Sequence, residues 1–286
     1  MDTWTVGRVI DWAAGDLRSF SSTSPRLDAE LMMTMVLGWD RVKLITQADR
    51  PLDQGELAAF RELHKRRRRG EPIAYLSGQR EFFSRTFIVD QRVLVPRPET
   101  ELLVDVGLRR THSLSLCARV LDLCTGSGCV AITLKRERPT TSVIASDTSE
   151  DALAVAQLNC QSLGAPVTLV RSDVYAELAP WRGRLDLITA NPPYLGDEDM
   201  GELPVDVRDF EPPLALAAGR DGLDVIRRII GGALAMLAPG GVLAMEVGAG
   251  TAREVAALVE GAGLEHLEID CDYSGHERIV SAQKPA

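Results

Sequence analysis

Four consecutive residues, Asn191-Pro192-Pro193-Tyr194, combine a side-chain amide, two prolines and an aromatic ring. Because proline has a fixed φ and no amide hydrogen, this sequence predicts a stiff loop whose carbonyl oxygens are free to accept hydrogen bonds. Together with the Asn191 side-chain oxygen they can hold both hydrogens of a planar NH2 group, against which the Tyr194 ring packs. These acceptor oxygens stabilise the positive charge that develops on the nitrogen when such a weak nucleophile attacks a carbon. The loop predicts group transfer to an amide or aromatic amine, with Asn191, Pro192 and Tyr194 as catalytic residues; the alternative is a Pro-Pro turn without function.

A second candidate site is the loop that follows the first strand, from Asp122 to Gly128. Gly126 and Gly128 let the backbone approach a ligand, and Asp147, at the end of the next strand, suits the hydroxyls of a ribose. The same glycine spacing matches a dinucleotide fingerprint, but a carboxylate such as Asp122 would repel a pyrophosphate. It would attract the ammonium and sulfonium groups of S-adenosylmethionine. We therefore favour S-adenosylmethionine over a nicotinamide dinucleotide; a structural glycine turn is the third interpretation.

Two further carboxylates follow strands at the same edge of the sheet. Asp173 can accept a hydrogen bond from the exocyclic amine of adenine, but Ser172 and Asp173 are also preferred helix N-cap residues, and both interpretations stay open. Glu246 ends the fifth strand, where it faces the pocket or pairs with a cation.

The elements that must position these residues alternate between strand and helix from residue 100 to 286. This order predicts an α/β domain with a mainly parallel sheet covered on both faces. The last two strands are joined without a helix, so the final strand is expected to be antiparallel. The seven predicted strands are Val120–Leu123, Val143–Ala145, Val167–Val170, Leu185–Ala190, Val242–Val247, Leu264–Ile269 and Arg278–Ser281.

Residues 1–72 predict a separate helical bundle, since Leu27, Leu31 and Met35 recur at helical spacing and strand-like alternation is absent. The bundle ends in the basic run Lys65–Arg69. This run is either a patch for RNA or an acidic partner, or a solvated helix end whose cations favour the helix dipole.

Residues 73–96 are rich in β-forming side chains and predict a β-hairpin linker, with Asp90-Gln91 as its turn. Two prolines at its end suit a stiff connection into the third region, residues 97–286.

Composition narrows the function classes further. The 286 residues are 45% hydrophobic and 26% charged, which is typical of a globular protein. A net charge of −9 disfavours a stable nucleic-acid partner. Five cysteines without zinc spacing predict reduced thiols and no metal site, and the lack of a signal or membrane-spanning segment predicts a cytoplasmic protein.

With these motifs combined, the chain resembles the PrmC/HemK family, the release-factor glutamine methyltransferases, over nearly its whole length. Two of the matching segments, Glu71–Gly78 and Val95–Glu101, are more specific than the Asn-Pro-Pro-Tyr loop, which base methyltransferases share. The resemblance implies a small helical N-terminal domain, a β-hairpin linker and a seven-stranded, Rossmann-like, class I S-adenosylmethionine-dependent methyltransferase domain. The segments are Glu71–Gly78, Val95–Glu101, the loop from Asp122 to Gly128, Asn191–Tyr194 and Phe210–Pro212.

The resemblance also implies an activity: methyl transfer from S-adenosylmethionine to the N5 atom of the glutamine in the Gly-Gly-Gln motif of class I peptide chain release factors. The product besides N5-methylglutamine is S-adenosylhomocysteine, and the helical domain is expected to recognise the protein substrate. The expected cofactor residues are Asp122, Cys124, Thr125, Gly126, Ser127, Gly128, Asp147, Asp173, Val174 and Asn191. The expected substrate residues are Asn191, Pro192, Pro193, Tyr194, Arg97 and Glu99.

One residue departs from the family pattern, because Cys124 stands where the family usually has glycine. Its side chain would crowd the methionine part of the cofactor if its φ must be positive, and would be harmless if its φ is negative.

Three other functions stay open from the residues alone. An adenine-N6 methyltransferase acting on DNA or rRNA would use the same loop, although base flipping favours a basic groove. A nicotinamide-dependent oxidoreductase is disfavoured by Asp122, and a non-catalytic binding module is disfavoured by the intact Asn191 and Tyr194.

Overall fold

The computed structural model describes residues 3–20, 22–112 and 117–286. The chain forms two compact units, Met1–Gln79 with Leu203–Glu211, and Arg80–Glu202 with Pro212–Ala286. The helices are α1 (Val6–Leu17), α2 (Pro25–Leu37), α3 (Arg41–Thr46), α4 (Gln54–Arg68), α5 (Ile73–Ser77), α6 (Glu101–Arg110), α7 (Cys129–Glu137), α8 (Glu150–Ser162), α9 (Val205–Arg208), α10 (Asp224–Met236) and α11 (Ala252–Gly261). The strands are β1 (Gln79–Phe82), β2 (Arg85–Ile88), β3 (Arg119–Leu123), β4 (Ser142–Asp147), β5 (Thr168–Arg171), β6 (Leu185–Ala190), β7 (Leu237–Glu246), β8 (Glu265–Cys271) and β9 (Glu277–Gln283).

The first unit is built from short helices with clear start signals. The Asp53 side chain accepts a hydrogen bond from the Glu56 backbone N–H, and the Glu56 side chain accepts one from the Asp53 backbone N–H, which forms a capping box at the start of α4. Met32, Met33 and Phe60 are buried in the common core of this unit. None of the helices in the described residues has the length and apolar character needed to cross a bilayer.

The basic run at the end of α4 contains one buried arginine and four exposed residues. Arg67 is buried, and its Nε lies 2.8 Å from Asp28 Oδ2, while Arg66 pairs with Glu71 and Arg68 pairs with Asp16. Four of the five residues are thus exposed at the end of the helix, as the solvated-helix-end interpretation predicts, and Arg67 is the exception that is buried in the unit.

The hairpin of β1 and β2 differs from its predicted form. Its turn is Phe83-Ser84, with φ values of 50° and 57°. The predicted turn at Asp90-Gln91 is present, closed by a hydrogen bond of 3.1 Å from the Val93 backbone N–H to the Asp90 carbonyl, but it follows the hairpin and does not join its strands. Residues 73–77 form a helix, which starts after Pro72 and ends at Gly78 in the left-handed conformation. This pair of residues is a usual start and stop signal for a helix, and the β-forming composition of the stretch obscured it.

The second unit contains a seven-stranded sheet with the order β5-β4-β3-β6-β7-β9-β8. The first five strands are parallel, and β9 pairs antiparallel with both β7 and β8, which confirms the α/β prediction. The chain runs outward from β3 to β5 and returns to the other side of β3 with β6. The switch point, where open α/β sheets bind ligands, lies between β3 and β6.

Each face of the sheet is covered by its own apolar core. One core joins the sheet to α10 and α11, and the other joins it to α6, α7 and α8. Asp122, Thr189 and Glu246 are buried polar residues at the carboxyl ends of β3, β6 and β7. Buried polar groups are usually hydrogen-bonded or functional, so these three residues mark this edge of the sheet as a candidate site.

Candidate cofactor and substrate site

A cavity of about 310 Å³ opens at the carboxyl ends of β3, β4 and β6, within the range of roughly 300–1,000 Å³ usual for small-molecule pockets. Gly128, Pro192, Tyr194 and Glu99 do not line it. The other predicted site residues do: Arg97, Asp122, Cys124, Thr125, Gly126, Ser127, Asp147, Asp173, Val174, Asn191 and Pro193.

Asp122 is the most buried charge of the loop. Its Oδ2 accepts from Thr125 Oγ1 at 2.6 Å, and its Oδ1 accepts from Thr189 Oγ1 at 2.7 Å. Burial raises the pKa of Asp122 to about 6, and the two hydroxyl donors oppose the rise. Asp122 is thus mainly an anion at neutral pH, and it both braces the loop and supplies negative charge to the cavity wall.

Asp147 ties the loops after β3 and β4 together. Its Oδ2 accepts from the backbone nitrogen of Gly126 at 2.9 Å, and its Oδ1 accepts from that of Ser149 at 3.0 Å. Burial raises the pKa of Asp147, and these backbone donors oppose the rise. A Cβ added at Gly126 would meet no atom within 4 Å, so the glycine leaves open space beside this carboxylate.

Of the two interpretations left open for Ser172-Asp173, the helix N-cap was wrong, because a turn and not a helix follows. Ser172 Oγ instead donates to the carbonyl of Val174 and accepts from the backbone of Glu177. The Asp173 carboxylate lies 2.7 Å from Arg228 Nη2 on α10. Arg228 also lines the cavity and was missed in the sequence because it lies far from the other site residues along the chain.

Cys124 has a φ of 55°, the condition under which the sequence predicts crowding. A side chain in the left-handed region costs roughly 1–2 kcal/mol, and here it also occupies part of the cavity wall. Burial raises the pKa of the Cys124 thiol, so the sulfur is a protonated, uncharged group.

Asn191 is held at the end of β6 by a residue that the sequence did not single out. Its Nδ2 donates to Thr100 Oγ1 at 3.2 Å, and Thr100 is buried in the short 3-10 turn before α6. Burial raises the pKa of Tyr194 to about 12, so its phenol stays protonated. Tyr194 packs on the core beside Gly248, whose added Cβ would come within 3.3 Å of its ring.

Glu246 follows Met245, the register partner of Ala190, and so lies beside this loop, but it does not line the cavity, and its interpretation as a pocket-facing residue was wrong. It is fully buried, and neither carboxyl oxygen has a hydrogen-bond partner among the described residues. Burial raises the pKa of Glu246 to about 7.

The residues present fit S-adenosylmethionine. Asp122 and Asp147 provide carboxylates for cationic groups and hydroxyls, Gly126 leaves open space, and Val174 supplies an apolar wall. The sheet order and the cavity at its switch point define a class I methyltransferase. A methyltransferase from Pyrococcus furiosus shares this fold, with a TM-score of 0.52, 16% identity, and coverage of 71% of this chain and 91% of that chain.

Sequence comparisons give the family. Residues 8–78 match the PrmC N-terminal domain, and residues 100–207 match the methyltransferase small domain. The chain is 39% identical to a release factor glutamine methyltransferase of Rhodopirellula baltica over 98% of this chain and 97% of that protein. It is 38% identical to one of Geobacter sulfurreducens over 99% and 98%. The chain belongs to the release factor glutamine methyltransferase family, which confirms the resemblance seen in its motifs.

Proposed function

We propose that the protein transfers the methyl group of S-adenosylmethionine to the side-chain amide nitrogen of the glutamine in the Gly-Gly-Gln motif of class I peptide chain release factors. S-adenosylhomocysteine is the second product. The observation that carries this proposal is the similarity, over nearly the full length, to relatives named release factor glutamine methyltransferase. These names support a glutamine rather than an adenine as acceptor.

The cofactor part of the cavity has carboxylates and an apolar wall at positions that suit the groups of S-adenosylmethionine. S-adenosylmethionine supplies an electrophilic methyl carbon when it is bound. Asp147 accepts from its ribose hydroxyls, and Asp173 and Val174 border its adenine. Asp122 and the loop from Cys124 to Gly128 hold its cationic methionine part.

The substrate part begins at Asn191. The strand register pairs Leu123 of β3 with Ala190 of β6, so Cys124 and Asn191 leave the sheet side by side. Asn191 Oδ1 and the Pro192 carbonyl accept the two hydrogens of the glutamine amide, and Tyr194 packs on its plane. These contacts fix the nitrogen for in-line attack and favour the charge that develops on it.

Several residues outside the reacting centre complete the proposal. Pro193, Arg97 and Glu99 contact the peptide around the glutamine. The helical unit recognises the release factor, and nucleic acid is not a stable partner, in agreement with a net charge of −9.

The experiment is incubation with labelled S-adenosylmethionine and, in parallel, a class I release factor, the same factor with the motif glutamine replaced by alanine, DNA and ribosomal RNA. We expect label in the unaltered factor alone. Equal label in the alanine variant would contradict the site of transfer. Label confined to nucleic acid would replace the proposal with a base methyltransferase.

A further inference from the structure

Two buried polar side chains, Thr100 and Glu246, lie beside Asn191, and neither is among the expected cofactor or substrate residues. In the register of β6 and β7, Ala190 pairs with Met245, so Asn191 and Glu246 are neighbours just beyond that pair. Thr100 accepts the hydrogen bond from Asn191 Nδ2 and is 2% exposed. The Thr100 hydroxyl is close enough to Glu246 to lower the pKa of that carboxyl group.

We propose that Thr100 and Glu246 are positioning residues that direct the side-chain oxygen of Asn191 toward the substrate amide. This inference rests on the proposed methylation of glutamine, because only an NH2 substrate requires an acceptor at that position.

The orientation of the Thr100 hydroxyl group follows from the groups around it. The carboxylate of Glu246 makes no formed hydrogen bond within the described part of the chain, but its negative charge attracts the hydroxyl hydrogen of Thr100, so the lone pairs of the Thr100 oxygen face Asn191. The NH2 group of Asn191 satisfies those lone pairs, which leaves Oδ1 for the substrate. An uncharged donor at position 246 permits the reverse arrangement, in which Asn191 presents its own NH2 group to the substrate NH2 group.

Stability does not account for Glu246. A buried carboxylate without hydrogen-bond partners costs free energy, and replacement of such a group is often neutral or stabilising. Arg97 and Arg278 favour its ionised form, while burial and Glu99 oppose it. A charge kept at this cost beside the reacting loop is better explained by an effect on the reaction.

The first test compares Thr100→Val, which keeps the volume of the side chain but removes its hydroxyl group, with Thr100→Ser, which keeps the hydroxyl group. Assays with release factor are run at a pH above the pKa of Glu246. We expect kcat of the valine variant to fall roughly tenfold or more, with KM for S-adenosylmethionine unchanged, because an acceptor that acts in the transition state is misdirected. The serine variant should recover most of kcat.

The second test is Glu246→Gln, with the exposed Glu260→Gln as matched control. We expect a similar loss of kcat together with an unchanged or higher melting temperature, since a buried charge is removed. A merely structural role predicts the opposite, a lower melting temperature with activity lost in proportion. The control should match the wild-type protein in both measurements.

A third measurement needs no substrate. In the wild-type protein labelled on asparagine side chains, a nuclear Overhauser effect should join the Asn191 NH2 group to the Thr100 methyl group, and it should weaken in Glu246→Gln. Wild-type kcat in both Thr100→Val and Glu246→Gln, or an unchanged nuclear Overhauser effect, would overturn the inference. Absence of label in release factor with the wild-type enzyme would overturn the proposed function instead, and the NMR result would still decide the orientation.

Discussion

Asn191 is the residue on which the proposed chemistry depends most directly. We expect Asn191→Ala to leave the affinity for S-adenosylmethionine nearly intact, because the other cavity residues remain. Methyl transfer should fall by about 10²–10³-fold, since a contact made to the developing charge is lost. Calorimetric titration and a labelled-methyl assay measure the two effects separately. Near-normal turnover would rule out the role given to Asn191.

Cys124 has a conformation that glycine adopts without strain. Two substitutions separate its backbone from its side chain: Cys124→Ala keeps the strain, and Cys124→Gly removes it. We expect the glycine variant to be more stable than the alanine variant by about 1 kcal/mol, the reverse of the usual order, and to bind S-adenosylmethionine more tightly. Urea unfolding and calorimetry test both points, and the usual order of stability would contradict the argument.

Glu246 gives the protein a pH dependence that can be isolated. Its pKa of about 7 in the folded protein lies above the ordinary value of 4.5. The folded chain therefore binds this proton more tightly, so the contribution of Glu246 to stability is greatest below pH 4.5 and is lost as pH rises to about 7, a change of the order of 3 kcal/mol. The surrounding charges are Arg97, Arg278 and Glu99.

The measurement is the free energy of unfolding of the wild type and of Glu246→Gln across this pH range. Asp122 and Asp147, whose pKa values are also raised, are present in both proteins and cancel in the difference. A difference that does not change with pH would show that Glu246 does not titrate as described.

At the scale of elements, the loop between β3 and α7 uses its two glycines for different purposes. A Cβ at Gly128 would lie 3.0 Å from Ile132 Cδ1 and 3.2 Å from Ala156 Cβ, whereas one at Gly126 would project into open space. We expect Gly128→Ala to lower the melting temperature more than Gly126→Ala. Gly126→Ala should lower the affinity for S-adenosylmethionine clearly while it changes the stability only modestly. Equal effects of both variants on stability and binding would contradict this division.

Much of this organisation could be predicted from the sequence. The alternation of apolar strands and helices predicts the sheet and its antiparallel strand, and the positions of Asp122 and Asn191 after two strands place them at one edge. Thr100 and Arg228 could not be found this way, because they reach the cavity through tertiary packing from other segments. The Phe83-Ser84 turn was missed because neither residue is a usual occupant of the left-handed region.

At the scale of the molecule, the chain leaves its second unit at Glu202 and returns at Pro212, and the segment between them belongs to the helical unit. Gly70 fits closely against it, since an added Cβ would come within 2.7 Å of Val205 and 3.3 Å of Phe210. We expect a chain that begins at Arg80 to expose these side chains and to bind a hydrophobic dye. Replacement of residues 203–211 by a Gly-Ser linker in that shortened chain should reduce dye binding. Equal dye binding by both would contradict this assignment.

Because residues 203–211 belong to the helical unit but lie within the sequence of the second unit, the two units cannot be exchanged independently between related enzymes. A helical unit exchanged between two relatives at a single breakpoint would be separated from the short stretch of chain that completes it. Substrate range is therefore expected to change by drift within both stretches together rather than by shuffling, and a chimaera designed to retarget the enzyme should carry the two pieces as one set.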